Sequence, residues 1–580
     1  MQNDKPNVFA VMIGAGLFGW AALNIGPLTV MGQPQLLPIL ITLLAVVCVI
    51  QLVIMALNLL ASFAEWLSAH TPSGQAGTSR WAEIKDIRHE LCKSKQGPFW
   101  GRMAYGKKAA LFSDYASNAL TIAPAGSGKG IYTVINNGLS IRESKLMPDF
   151  KGELACVLKK PLEERGENVI ILNPGGLWAE QLGKTASYSP IDIIVNDFYR
   201  SDGLHDVTDD LRELSMQLYP EPEGKQGENT YFREGSRRLI ADVILLQAIL
   251  EEADATLASV SLMIEDRQQL ERHLRWIVGI DLEGKPLSEG PLPIEHTEWA
   301  AQYSPADIAE FAALVRAKAN NNLILMQGEE SRTFDSFISG AQQALAPFAF
   351  GRLSKAMQRS TFSMDELKGD TPTTLFIVAD SSRMESYKAF VGLMQWCAFT
   401  AIKRHKNKDV PVYAIMDEAT NYKIHGLKSL LTWGRAYGLR AHLIFQDFSA
   451  FEDEYGEKTL ETLLSETEVK QFLPGQRSPK TLERIEKMLG EQSVMLPGDS
   501  EKESSGVQGG GRRESTNETA RPLMKVDEIR RTKHGILIVR QLLPILFEPI
   551  AYAEIKPWRN IVGINPFHSK PFLKKIKLKF

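Results

Sequence analysis

The stretch "TIAPAGSGKGIYTV" (121–134) places a lysine after a glycine-rich turn, an order that suits the binding of nucleotide phosphates. In the pattern Gly-x-x-x-x-Gly-Lys-Ser/Thr, backbone N–H groups cradle the phosphates and the lysine reaches the β- and γ-phosphates. Here Ala123 stands at the first glycine, and Gly130 replaces the hydroxyl residue that touches Mg²⁺. Surface loops also contain such turns. A phosphate-binding function for this one therefore needs support from other residues of the chain. The residues predicted to bind ATP are Ala125, Gly126, Ser127, Gly128, Lys129, Gly130 and Ile131.

Two adjacent acids end a short apolar segment much later in the chain. The segment "YAIM" (413–416) is followed directly by Asp417 and Glu418. In nucleotide hydrolases the first such acid holds Mg²⁺, usually through water, and the second polarises the attacking water. The pair also fits a solvated strand end, but an apolar strand that finishes in two carboxylates favours a catalytic site.

Two further side chains extend this set of candidate catalytic residues. Gln446 follows the segment "AHLIF" (441–445) at its carboxyl end, where open α/β sheets bind ligands. Its amide would sense the γ-phosphate or orient water; the alternative is a turn-capping glutamine. Arg435 ends the helix predicted between the two strands. It would reach the nucleotide of a neighbouring subunit and stabilise transition-state charge, or it is an ordinary surface arginine.

The elements that must position these residues form an α/β pattern. Helices are predicted at 131–139 and at 426–438, where Gly438 is expected to be a left-handed C-cap. Strands that alternate with helices predict a mostly parallel sheet, and residues 535–555 add one or two further strands. The main predicted strands are 120–123, 168–174, 373–380, 410–420, 441–447 and 468–475.

A change of pattern between residues 199 and 359 predicts an inserted all-α domain. Apolar residues such as Leu239, Ile240, Val243 and Leu246 recur with helical spacing. The predicted domains are a transmembrane hairpin (1–66), the first part of a nucleotide-binding domain (67–198), the insertion (199–359), the second part of the nucleotide-binding domain (360–560, with a flexible loop at 498–520) and a basic tail (561–580).

Two long uncharged runs, 8–30 and 36–63, open the chain. At about 1.5 Å per residue each is long enough to cross a hydrocarbon layer of about 30 Å. Basic residues follow the second run at Arg80, Lys85 and Arg88, so the positive-inside rule predicts two spans with both termini and the bulk of the chain in the cytoplasm. A cleaved signal peptide or a pair of soluble core helices are the alternatives.

The composition excludes a nucleic-acid binder that is strongly basic over the whole chain. The 580 residues carry a net charge of −3 and 44% apolar residues, as in ordinary globular chains. Four widely spaced cysteines, without a CxxC pair, indicate buried thiols in a reducing compartment.

Taken together, these motifs resemble the type IV secretion coupling proteins, the TraG/TraD-type ATPases of conjugation systems. In one branch of that family the lysine is followed by glycine, so Gly130 resembles a family trait. The resemblance covers roughly 77–555 and the membrane anchor. It also rests on the strings "GTSRWA" (77–82), "DFKGEL" (149–154), "SYSPID" (187–192) and "ARPLMKVDEI" (520–529).

The resemblance implies a RecA-like domain in a hexameric ATPase of the bacterial inner membrane. It also implies recruitment of a relaxase–DNA complex or effector proteins, and contact with inner-membrane subunits of the secretion channel. Mg²⁺ would depend on the nucleotide, water and Asp417, with Asp149 as a second ligand. Single-stranded or double-stranded DNA would be held through phosphates, without sequence preference.

Two other functions remain open from the sequence. One is a membrane-anchored DNA pump of the FtsK/HerA type that is unconnected to secretion. The other is a docking receptor that no longer hydrolyses ATP, although Lys129, Asp417 and Glu418 are all present. The basic tail from 568 to 580 is expected to be a solvated segment or a contact for lipid, DNA or a partner.

Overall fold

The computed structural model describes residues 36–70, 74–113, 117–221, 230–327, 330–424, 426–497 and 516–567. The chain divides into two units, Met1–Arg80 with Lys487–Leu523 and Trp81–Glu486 with Met524–Phe580. The first predicted span, 8–30, and the basic sequence from residue 568 lie outside the described residues.

The strands of the described residues form one large sheet and one hairpin. In chain order they are β1 (Phe99–Met103), β2 (Ala110–Phe112), β3 (Asn118–Ile122), β4 (Ser144–Asp149), β5 (Asn168–Leu172), β6 (Thr373–Val378), β7 (Val412–Met416), β8 (Leu439–Phe445), β9 (Thr467–Phe472), β10 (Glu491–Pro497), β11 (Thr516–Pro522), β12 (Gly535–Val539) and β13 (Ile545–Glu548). The sheet has the order β2-β1-β13-β12-β9-β3-β8-β7-β4-β6-β5, and β10 pairs with β11.

The described residues also contain α-helices, nine of which lie between β5 and β6 in the chain. They are α1 (Leu36–His70), α2 (Ile84–Leu91), α3 (Ile135–Ser140), α4 (Glu153–Glu164), α5 (Ala179–Leu182), α6 (Asp192–Phe198), α7 (Val207–Leu218), α8 (Thr230–Glu251), α9 (Leu257–Glu265), α10 (Arg267–Val278), α11 (Pro305–Leu325), α12 (Ser331–Ala349), α13 (Arg352–Ala356), α14 (Met384–Arg404), α15 (Leu427–Trp433), α16 (Phe448–Tyr455), α17 (Glu457–Glu466), α18 (Pro479–Leu489), α19 (Val526–Arg531) and α20 (Lys556–Ile561).

The smaller unit contains α1 and the β10–β11 hairpin. The stretch Thr42–Ala64 of α1 has 23 residues, none of it buried, and it is long and apolar enough to cross a membrane. It is the one such helix among the residues that the structure describes. The hairpin pairs Pro497 with Thr516. The prediction of a flexible loop at 498–520 is therefore wrong for residues 516–520, because β11 already begins at Thr516.

The large sheet is mostly parallel, as predicted. The neighbours from β9 to β5 run parallel, whereas β12, β13, β1 and β2 extend the sheet antiparallel beyond β9. Every residue of β3 and β7 is buried, as expected for strands covered on both faces. The six strands predicted between 120 and 475 correspond to β3, β5, β6, β7, β8 and β9, and residues 535–555 contain two more.

Pro148 lies inside β4, a central strand, where a proline removes a backbone donor. The pairing of β4 with β7 ends at Leu146, whereas its pairing with β6 continues to Asp149. The Asp149 carbonyl accepts the N–H of Ala379 at 2.9 Å. The backbone N–H and C=O groups of successive residues point to opposite neighbouring strands. Since the Asp149 carbonyl points towards β6, the backbone nitrogen of Pro148 points towards β7, beyond the last residue of β4 that pairs with β7. The missing N–H therefore costs no hydrogen bond of the sheet.

Between β5 and β6 the regular elements of the described residues are α-helices and 3₁₀-helices. In α8 the side chains of Leu239, Ile240, Val243 and Leu246 are buried, as their spacing predicts. This segment belongs to the same unit as the sheet. Its definition as a separate domain with bounds 199–359 therefore stays a prediction.

Candidate nucleotide site

The phosphate-binding loop (residues 123–131) connects β3 with α3. It turns at Gly126 and Gly128, whose φ angles are +78° and +79°. A Cβ added at Gly128 would lie 2.5 Å from the Tyr132 ring, so this position requires glycine. The next turn, Gly130–Val134, is a π-helix closed by a hydrogen bond from the Ile135 N–H to the first residue of the turn. The predicted helix therefore begins with a widened turn.

The acidic pair follows β7 at the same edge of the sheet. Glu418 has a φ of +53°, which is unusual for a residue with a Cβ. Its N–H donates to Asp417 Oδ1 at 2.9 Å, and Asn421 Nδ2 donates to its Oε2. These contacts hold both carboxylates at the carboxyl end of the strand, in a backbone conformation of the strained kind that clusters at functional sites.

Lys129 joins the two motifs, which lie almost 300 residues apart. Its Nζ is 3.1 Å from Asp417 Oδ1 and 2.9 Å from Glu418 Oε1. Burial lowers the pKa of Lys129, but the two carboxylates raise it by more, so the net pKa lies above its ordinary value. The structure therefore brings these three predicted residues together, whereas their catalytic roles stay predictions.

The two carboxylates differ in their electrostatic environment. Burial raises the pKa of Asp417, and Glu418 raises it further, so that the opposing effect of Lys129 does not bring it back to its ordinary value. For Glu418 burial also raises the pKa, but Lys129, Lys151 and Asn421 lower it by more, and the net pKa is depressed. Glu418 is therefore ionised at neutral pH, as a general base must be.

The segment after β4 forms the third wall of the site. Asp149 is buried, and its two oxygens accept the N–H groups of Lys151 at 3.2 Å and Ala155 at 2.9 Å. Burial raises the pKa of Asp149 to about 6, although these hydrogen bonds oppose the shift. The walls enclose about 390 Å³, within the range of small-molecule sites. The lining residues are Gly126, Gly128, Lys129, Gly130, Ile131, Asp149, Phe150, Lys151, Glu153, Leu154, Asp417 and Glu418.

These residues fit a Mg²⁺ ion that is bound together with a nucleotide. Among the described parts of the chain, no group of three or more His, Cys, Asp or Glu side chains could hold a metal ion. Mg²⁺ is usually bound by one or two carboxylates together with water and substrate phosphates. Asp417 is the better placed of the two predicted ligands, because both oxygens of Asp149 already accept backbone N–H groups. Asp149 as a ligand stays a prediction.

Gln446 follows β8 directly at the carboxyl edge of the sheet. Its side chain is exposed. The preceding residue, Phe445, accepts the N–H of Ala123 at 2.8 Å, so Gln446 stands next to the start of the phosphate-binding loop. Gln446 is not among the residues that line the cavity, and its role as a phosphate sensor stays a prediction.

Arg435 lies at the opposite end of β8. It belongs to the 3₁₀ turn Gly434–Tyr437, after which Gly438 has the expected left-handed conformation. The Arg435 side chain is 57% exposed and forms a 3.1 Å ion pair with Glu468. A strand as long as β8 spans about 20 Å, so Arg435 does not join the cavity of its own chain. The predicted action on a neighbouring subunit stays a prediction.

Comparison with known families decides the identity of this chain. Residues 78–557 match the family of type IV secretion coupling proteins described as "Type IV secretory system Conjugative DNA transfer". The chain belongs to this coupling-protein family. The matched range includes the phosphate-binding loop, the acidic pair and the whole helical segment between β5 and β6.

Curated relatives of this coupling protein include two named bacterial proteins. It is 25% identical to the conjugal transfer protein TraG of Escherichia coli, over 78% of this chain and 71% of TraG. It is 24% identical to the protein VirD4 of Rhizobium radiobacter, over 72% of this chain and 55% of VirD4. The match therefore spans little more than half of that VirD4.

Solved structures show that the coupling protein has the α/β fold of TrwB. The unbound form of the bacterial conjugative coupling protein TrwBdeltaN70 superposes with a TM-score of 0.55 at 16% identity, covering 82% of this chain and 96% of the other. TrwB in complex with ADP and Mg²⁺ gives a TM-score of 0.52 at 17% identity, with 82% and 97% covered.

Some residues at the site of this coupling protein are not among the site residues predicted from the sequence. Lys151 and Glu153 line the cavity, and their signal is the "DFKGEL" string that contains them. Asn565 donates to Glu153 Oε1 at 2.7 Å, and the Phe567 ring lies 6.0 Å from Lys151 Nζ. These last two contacts join residues that are more than 400 positions apart, and no local pattern signals them.

Proposed function

We propose that this coupling protein is an ATP hydrolase that drives substrate transfer through a type IV secretion channel. The proposal is carried by the contact of Lys129 with both Asp417 and Glu418 in a cavity that the glycine-rich loop lines. A cation and a pair of carboxylates from distant motifs meet there, as nucleotide hydrolysis requires.

Each residue has a defined role in this proposal. Lys129 exchanges its carboxylate partners for phosphate oxygens, which the N–H groups of the loop also bind. Glu418, ionised because of its depressed pKa, accepts a proton from the attacking water, while Asn421 holds its second oxygen. Asp417, together with phosphates and water, would hold Mg²⁺, which would supply positive charge against the phosphates. Gln446 orients the water or senses the γ-phosphate.

Nucleotide complexes of a structural relative support this assignment. TrwB is described in complex with the GTP analogue GDPNP, with ADP and Mg²⁺, and with the ATP analogue ADPNP. Their sequence identity to this chain is at most 17%, so the argument for ATP and Mg²⁺ depends on the residues that line the cavity here.

The membrane part of the proposal rests on α1 and on the uncharged run that precedes it in sequence. The stretch Thr42–Ala64 is long and apolar enough to span a membrane, and 8–30 supplies the second proposed span. Both termini and the ATPase would then lie on the cytoplasmic side of the bacterial inner membrane.

The partners follow from the family and from the named relatives. The substrates would be a relaxase–DNA complex, effector proteins or both, with DNA bound without sequence preference. The chain would assemble as a homohexamer and contact inner-membrane subunits of the channel. The helical segment between β5 and β6 would face the cytoplasm and receive the substrate.

ATP hydrolysis by purified variants tests the proposal. Lys129→Ala and Glu418→Gln should each lower the steady-state rate by about 10²-fold or more. Glu418→Gln should keep nucleotide affinity, because Lys129 and the loop remain. Glu452→Gln is a suitable control, since Glu452 pairs with Lys480 and Arg484 away from the cavity. Parental rates in either site variant would exclude the assigned site.

Co-purification separates this proposal from the two other functions. A secretion coupling protein should retain relaxase or channel subunits after mild detergent extraction, whereas an FtsK/HerA-type DNA pump should not. A docking receptor without ATPase activity would retain the same partners but hydrolyse no ATP. The ion-paired Lys129, Asp417 and Glu418 favour the hydrolysing form.

A further inference from the structure

A buried hydrogen-bond network lies beside the phosphate-binding loop. Thr121 in β3 and Thr133 in the π-turn lie 2.9 Å and 3.1 Å from Oε1 of Gln471 in β9. His442 Nε2 in β8 lies 2.8 Å from Thr121 Oγ1. The most exposed of these four residues is His442, at 4%. The network thus links three neighbouring strands with the first turn after the loop.

The direction of each hydrogen bond follows from the donor inventory. An amide oxygen can only accept, so both threonine hydroxyls donate to Gln471. The Thr121 hydroxyl has only one hydrogen, which it donates to Gln471. His442 Nε2 must therefore donate to the Thr121 oxygen. Burial lowers the pKa of His442 to about 3, so the ring is neutral and carries one N–H.

The two threonines make the same contact from different places. Thr133 belongs to the turn Gly130–Val134, which directly follows Lys129. Thr121 belongs to β3, before the loop begins. A π-helix is rare and occurs mostly as a single turn at a functional site. Gln471 ties this turn to β9, a strand that contributes no residue to the lining of the cavity.

We infer that Gln471 and Thr133 are positioning residues of the nucleotide site. Their hydrogen bond holds the π-turn so that Lys129 and the N–H groups of Gly130 and Ile131 face the phosphates. Neither residue lines the cavity, so both act through the turn. The inference rests on the proposed function and adds the element that fixes the geometry of the loop.

Two valine variants of the full-length protein separate positioning from simple stability. Thr133→Val leaves Gln471 Oε1 with the Thr121 donor, so no buried polar group loses its last partner. Its unfolding temperature should fall only slightly, but its dissociation constant for a fluorescent ATP analogue with Mg²⁺ should rise about five-fold. Thr133→Ser keeps the hydroxyl and should restore the parental affinity.

Thr121→Val is the matched control, because it removes the other hydroxyl from the same acceptor. It leaves the His442 N–H buried without an acceptor, so its unfolding temperature should fall more than that of Thr133→Val. Its affinity for the analogue should stay parental, since the bond to the π-turn remains. Thr121→Val should thus have the lower unfolding temperature, whereas Thr133→Val should have the lower affinity.

Three results would contradict the inference at different levels. If Thr121→Val, the less stable variant, also bound the ATP analogue more weakly than Thr133→Val, the network would have only a structural role. Parental affinity in Thr133→Val would exclude positioning directly. If the parental protein bound no nucleotide, the proposed function would be wrong, and the inference with it.

Discussion

The two edges of the parallel sheet hold their charged residues in different ways. At the carboxyl edge Lys129, Asp417 and Glu418 are between 17% and 22% exposed, and the lysine contacts both acids. At the amino edge Arg435 is 57% exposed, and its partner Glu468 is 26% exposed. One edge encloses its charges within the chain, and the other presents a cation to the surroundings.

This difference has an energetic consequence. An exposed ion pair contributes about 0–1 kcal/mol, so Arg435 can leave Glu468 at little cost. Removal of Lys129 would instead leave two carboxylates facing each other in a half-buried cavity. The carboxyl edge is therefore suited to a permanent site. The amino edge is suited to a residue that reaches beyond its own chain.

The largest expected effect tests whether Arg435 acts on another copy of the chain. If Arg435 supplies the positive charge proposed to stabilise the transition state, Arg435→Ala should lower ATP hydrolysis by about 10³-fold or more. Mixing Arg435→Ala with Glu418→Gln should restore part of the activity. A site with Glu418 from one copy and Arg435 from the next is then complete. Steady-state rates of the mixtures at constant total protein measure this effect.

The control for this experiment is Arg540→Ala. Arg540 donates to the same Glu468 from the same edge of the sheet, so its loss disturbs the same ion-pair group. It should keep most of the parental rate. If Arg540→Ala were as inactive as Arg435→Ala, or if the mixture stayed inactive, the amino edge would have only a structural role.

A smaller effect should test whether steric contacts limit the phosphate-binding loop at the carboxyl edge. Gly128 has a left-handed backbone, and an added Cβ would lie 2.5 Å from the Tyr132 ring. The strain of about 1–2 kcal/mol should weaken nucleotide binding in Gly128→Ala by about ten-fold. Fluorescence titration with an ATP analogue measures it. Gly130→Ala is the matched control, because nothing lies within 4 Å of its added Cβ. Equal losses in both variants would show that the loop is not sterically limited.

The residues of the carboxyl edge can be predicted because each belongs to a short motif. Lys129 follows glycines, Asp417 and Glu418 end an apolar strand, and parallel strands bring such ends together. Gln471 and His442 cannot be predicted in this way. Their contacts depend on the neighbour order β9-β3-β8, which follows from packing rather than from a local pattern.

The fold shows the same limit. Six strands of the parallel sheet are predicted from the sequence, whereas β4 is missed because SKLMPD is not an apolar run. The short strands β1 and β2 are missed as well, since they gain their partners from β13 and from each other. The π-turn at Gly130–Val134 is also invisible to helical periodicity, which identifies its residues as an ordinary helix start. Long-range pairing and local widening are both decided by tertiary contacts.

The smallest expected effect concerns the hydroxyl that the phosphate-binding loop lacks. A serine or threonine after the lysine would contact Mg²⁺, and here that position is Gly130, where a side chain meets open space. Gly130→Ser should lower the Mg²⁺ concentration needed for half-maximal ATP-analogue binding by a few-fold, whereas Gly130→Ala should not. If both variants needed the parental concentration, position 130 would lie away from the metal. Asp417 would then be the protein group at the carboxyl edge on which Mg²⁺ depends.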